Sequence, residues 1–150
     1  QQWHHVARIE AEKEFPRFLR NPLFTAGVML YWGEGDSKPI NPLRLSNTDP
    51  RMVRIYVDFL HRILKIPNDK IRLGLILYPD LSEKLCRRFW SDITGLKNDN
   101  FFKTQYIKGR HPTTRLLHGI CMVIVGSRRY KTKMLRWIEI FSNQLTIKKR

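Results

Sequence analysis

Cysteine is scarce in this sequence: Cys86 and Cys121 are the only two in 150 residues. A disulfide framework is therefore excluded as the source of stability, and both thiols, set in apolar regular-looking segments, read as buried and free in a reducing compartment. Acid is scarce too, with 13 Asp and Glu against 28 Lys and Arg and a net charge of +15. Long apolar runs are missing. The best, residues 116–125, is half of the roughly 20 residues a membrane-spanning helix needs and contains His118. The N-terminus shows no charged-then-apolar leader pattern. It opens on Gln1 rather than Met, which reads as a piece of a longer protein whose upstream part is gone. The expected setting is the cytoplasm, in a prokaryotic cytosol or nucleoid.

Several chemistries lack their sequence signatures. Five scattered histidines and two distant cysteines make no zinc set, and His111 and His118, seven apart, suit neither a helix face nor a finger. There is no nucleophile elbow. Gly33-Glu34-Gly35 lacks the lysine and the spacing of a phosphate-cradling glycine loop.

What is present is apolar material and one-signed charge. Apolar residues make up 42% of the chain, with four Trp, eight Phe and five Tyr, enough for one real core and one domain over residues 1–150. From Phe101 onward the chain has twelve basic residues and a single acid, Glu139. Charge of one sign at this density repels itself, and a polyanion relieves the repulsion through counterion release. A solvated basic face is the plainer alternative, and a membrane surface fits less well because the charge is spread over strand-like and loop segments.

Hydrophobic periodicity predicts the order α-α-β-α-β-α-β-β-α. A first helix covers residues 2–15, with Trp3, Val6, Ile9 and Phe15 able to share its stripe, and is interrupted at Pro16; residues 1–20 read as a linker helix. Asn21-Pro22 caps the next, which runs to Gly33 and Gly35. After a short strand at 43–45, Asp49-Pro50 opens a helix whose face is Val53, Tyr56, Val57, Leu60, Ile63 and Leu64. Residues 71–78 alternate as a strand, and Asp80 to Glu83 has capping-box spacing before a helix closed by Gly95. Residues 101–108 and 116–125 read as strands, the second buried on both faces. The last helix, 128–145, buries Tyr130, Met134, Trp137, Ile138, Phe141 and Leu145 and turns Lys131 and Arg136 outward. The expected fold class is α+β, a mainly antiparallel sheet with helices on one face.

Residues 26–38, AGVMLYWGEGDSK, stand apart. A helix with small residues admits a close neighbour, and it runs into an acid held between glycines. Negative charge at a helix C-terminus opposes the macrodipole, so a divalent cation on an oxygen ligand is one compensation and a solvated turn is the other.

Gly27 to Gly35 resembles a divergent form of the LAGLIDADG motif of homing endonucleases, with Glu34 at the catalytic acid and Gly35 as the closing glycine. Ser46-Asn47-Thr48-Asp49-Pro50 and Tyr78-Pro79 extend the likeness loosely across residues 22–146. The resemblance implies two motif helices packed side by side over double-stranded DNA, each acid on Mg²⁺. One motif copy then implies a homodimer, with Glu34 catalytic and Glu34 and Asp36 as metal ligands. It also implies a nucleic-acid surface, assigned here to Lys38, Arg44, Arg72, Lys103, Gln105, Lys108, Arg110, Arg115, Arg128, Arg129 and Lys131.

The chain departs from the family at Met29, Tyr31 and Trp32, where slimmer residues are usual, leaving Ala26 and Gly27 to supply a close crossing in a shifted register. Only fourteen residues separate Gly35 from Pro50, room for one modest strand rather than two long ones. The expected function is DNA binding, extending to Mg²⁺-dependent cleavage. The alternatives are a non-catalytic DNA-binding regulator, or an RNA-binding accessory protein with Phe101, Phe102 and Tyr106 stacking on bases.

Overall fold

The structure is a computed structural model that describes residues 2–109 and 116–146. Five helices and four strands follow in the expected order: α1 (Gln2–Phe18), α2 (Pro22–Glu34), β1 (Leu43–Asn47), α3 (Pro50–Arg62), β2 (Ile71–Leu77), α4 (Glu83–Thr94), β3 (Gln105–Tyr106), β4 (Ile120–Val125) and α5 (Arg128–Leu145). The caps at Asn21 and Asp49 form as expected, each side chain accepting a backbone N–H of the first turn, from Leu23 and Arg51. At α4 the cap is Ser82 rather than Asp80. Among the described residues, no helix is long and apolar enough to cross a membrane.

The sheet order is β1-β4-β2-β3. β4 runs antiparallel to both neighbours, while β3 pairs parallel to β2. The sheet is therefore mixed, because α4 carries the chain back over the sheet before β3 and so sets β3 parallel. The predicted strand at 101–108 shrinks to two residues plus an isolated bridge from Phe101 to Leu73.

Alternation decides the two faces. Leu43, Leu45, Ile71, Leu73, Leu75, Leu77, Cys121, Val123 and Val125 are buried in the helix-side core. Their neighbours Arg44, Ser46, Arg72, Gly74, Ile76, Ile120, Met122 and Ile124 make the opposite face, which is more open. β4 is thus central but not buried on both faces. Both cysteines are free and buried, and burial pushes the Cys121 thiol well up.

α1 packs into the core. It continues through Pro16, and its buried stripe is Ala7, Ala11 and Phe15, leaving Trp3 and Val6 half exposed. A proline near a helix end forfeits one hydrogen bond. The aromatic cluster of Phe15, Phe18, Phe24, Trp137 and Phe141 holds that last turn in place. The Trp137 indole N–H donates to the Ala11 carbonyl at 2.9 Å.

Candidate nucleic-acid interface

α2 delivers Glu34 to the outer edge of the sheet, beside the middle of β1. Its cap, Gly35, bridges Leu45 of β1, and the Asp36 N–H donates to the Arg44 carbonyl at 2.9 Å. Gly35 has ordinary extended backbone, so its requirement is space: a Cβ there would sit 2.5 Å from the Tyr31 ring. Glu34 itself is exposed and makes no hydrogen bond or ion pair with another described residue.

Asp36 is held by many donors. Its carboxylate accepts from the Asn41 side chain at 2.8 Å, the Lys38 N–H at 2.9 Å and the Arg44 guanidinium at 2.9 Å, with Lys131 Nζ at 3.5 Å. These bonds, Asn41 first, hold its pKa well below the ordinary carboxylate range.

Lys131 enters from α5 and is 1% exposed. Its ammonium donates to the Tyr31 hydroxyl at 2.9 Å, to the Pro42 carbonyl at 3.2 Å and to the Asp36 carbonyl. Burial lowers its pKa against the pull of Asp36. Burial likewise raises the Tyr31 phenol to about 12. The loop 36–44 is thus bolted to α5 and to β1. Lys131 turns inward, not outward, and cannot reach a phosphate.

Other basic residues of α5 are also engaged. Arg129 meets Glu10 at 2.7 Å, Lys133 meets Glu14 at 2.7 Å, and Arg136 lies between Glu12 and Glu139. The acids of α1 therefore face α5 and neutralise much of the helix expected to be a free basic face. Leu145, expected in the core, is exposed.

The open sheet face gathers a different set. Register aligns Arg44, Ile124 and Arg72 in one row across β1, β4 and β2, one residue from an end of the sheet. Arg44 carries Asp36 as its counter-ion, whereas Arg72 is exposed with no ion pair to another described residue. The next row on this face is Ser46, Met122 and Gly74. Gln105 pairs with Ile76 and shares its face. Lys103 and Lys108 are exposed on either side of β3, Lys38 is exposed on the loop after Asp36, and Arg128 is exposed in the first turn of α5. Arg110 and Arg115 lie outside the described residues. Thr104 and Tyr106 turn to the helix side, where both hydroxyls donate to Glu83.

Sequence reasoning missed Lys70, which shares a groove of about 500 Å³ with Ser127 and Arg129 beside the same sheet end. It also missed Asn41, the foremost partner of Asp36; an Asn five residues after an acid in a Pro-containing loop was the available signal.

α2 shows how far the motif helix is free to pair. A Cβ on Gly27 would fall 2.2 Å from the Phe59 ring, so this glycine serves the α2–α3 contact within the chain. It does not supply the crossing to a twin. The other side carries Ala26, Met29 and Gly33 at helical spacing with half-exposed Trp32 beside them. No described residue lies within 4 Å of a Cβ on Gly33. Compared with known proteins, the chain matches no family model, no curated protein and no solved structure.

Proposed function

We propose that this chain binds double-stranded DNA with the open face of its sheet and the β1 edge where Glu34 lies, as a homodimer joined along α2. The observation carrying the reading is the open sheet face itself, where Arg72 stands exposed and without an ion pair to another described residue beside the apolar pair Met122 and Ile124. Exposed cations with no ion pair to another described residue also occur on helices and loops elsewhere, but Arg72 projects from this face and Lys103 and Lys108 flank β3 at its edge. Rim cations of this kind position a duplex by its phosphates. Ser46 and Gln105 offer hydrogen bonds to base edges, and Met122 and Ile124 offer apolar contact to thymine methyls. The homodimer is supported by α2, which is apolar on the side that no other element covers as well as on its buried side; a helix apolar all round belongs between two partners.

Cleavage is the second reading, favoured by the exposure and freedom of Glu34. One chain alone does not fit Mg²⁺: Asp36 is saturated by its own donors, and no cluster of three or more His, Cys, Asp or Glu able to hold a metal occurs among the described residues. A second carboxylate has to come from the twin's α2, so cleavage stands or falls with the dimer.

Plasmid relaxation with and without Mg²⁺, with Glu34→Gln alongside and gel shifts on the same samples, tests both readings. Salt-sensitive shifts in wild type and mutant support DNA binding. Metal-dependent nicking lost only in Glu34→Gln supports cleavage. Absence of any shift at low salt overturns the DNA-binding reading.

A further inference from the structure

The groove beside the 36–44 loop has a composition that the duplex-binding face does not use. It lies between the start of α1, the Pro39–Ile40 tip and α5, with a volume of about 540 Å³, inside the roughly 300–1,000 Å³ of ordinary ligand sites. Its walls are apolar: Trp3, Pro39, Ile40 and Leu135. Trp3 is 45% exposed and Ile40 75% exposed, although both are residues a chain normally covers. The Trp3 indole meets His4 edge-on at 5.6 Å, which steadies the ring and leaves area for another planar group.

The charge lining the groove is of one sign. Arg8 and Arg128 border it, and no acid is among its lining residues. Arg128 makes no ion pair with another described residue, while Arg8 shares Glu139 at the longer distance of 3.6 Å. His4 and Thr132 add hydrogen-bonding groups.

An exposed indole facing an aliphatic wall, edged by guanidinium groups, matches a nucleobase with its attached phosphate. An acidic peptide would satisfy the arginines but would leave the flat indole surface without a planar partner. We infer that this groove binds a single unpaired nucleotide of a polynucleotide, its base against Trp3 and Ile40 and its phosphate at Arg128 and Arg8. The groove thus gives the protein a preference for duplex that carries a single-stranded gap or flap. The inference rests on the DNA-binding reading and adds a second, structure-selective subsite to it.

The test compares affinity for an intact duplex and for the same duplex with a short thymidine flap, using wild type, Trp3→Ala and Ile40→Glu. Both side chains are exposed, so the variants keep the fold, which circular dichroism and the melting temperature check. The expected result is tighter flap binding by wild type, with both variants about tenfold weaker on the flap, the size of one lost base–aromatic stack, and unchanged on the duplex. Equal flap affinity in all three proteins overturns the groove assignment and leaves duplex binding standing. Binding of neither substrate by wild type overturns the DNA-binding reading itself and the groove inference that rests on it. Binding of anionic phosphatidylserine vesicles that depends on Trp3, without flap preference, also overturns it, because the occupant would then be a lipid surface.

Discussion

The ammonium of Lys131 has three hydrogens, and the structure provides three acceptors for them: one phenol oxygen and two carbonyls. Removing it takes that donor from the Pro42 carbonyl and leaves the Tyr31 hydroxyl and the Asp36 carbonyl only each other and the Arg44 N–H. Lys131→Met is expected to lower stability by about 1–3 kcal/mol, the usual cost of stranding buried polar groups, read as a lower denaturant midpoint. An unchanged midpoint would contradict the bolted-loop account. Asp36 gives a pH signature with a definite sign. Its folded pKa lies below the unfolded value of 3.8, so its contribution is complete above that value and disappears as pH falls beneath it. Asp36→Asn is therefore expected to be less stable than wild type at neutral pH. The gap should close as both are titrated below about pH 3.8, the ordinary aspartate range; a gap that widens in acid would refute the assignment.

At the scale of elements, what could be seen in the sequence was what local rules govern. The caps at Asn21 and Asp49, the alternation of Ile71 to Leu77, and the bounds of α5 all depend on residues near one another in the chain. The misreadings came where a distant partner decides. Lys131 sits on a face of α5 that periodicity assigns to solvent, and only Asp36 and the loop around it turn it inward. Pro16 failed to end α1 because its neighbours Phe15 and Phe18 are fixed by rings from α2 and α5. The motif glycines divide in the same way. Gly27→Ala drives a Cβ into Phe59 and is expected to cost about 1–3 kcal/mol, as overpacking does, measurable by thermal unfolding. Gly33→Arg meets open space within the chain. It should leave the melting of the monomer intact and abolish a homodimer in sedimentation experiments. A dimer that survives Gly33→Arg would remove α2 as its seam.

For the whole molecule, a net charge of +15 coexists with extensive internal pairing. Total charge does not reveal which cations a polyanion meets; packing does. The C-terminal third looked like the grip because its basic residues are dense, yet α5 spends several of them on α1 and on the 36–44 loop. Of the exposed cations, Arg72 stands in its row on the open sheet face, and Lys103 and Lys108 lie before and after β3. Phosphate contacts weaken binding with salt in proportion to their number. The most direct test is the dependence of duplex DNA affinity on salt for wild type, Arg72→Ala and Arg136→Ala. The account predicts weaker binding and a slope reduced by about one for Arg72→Ala, with Arg136→Ala unchanged. A slope that falls for Arg136 and not for Arg72, or no binding at low salt, would contradict it.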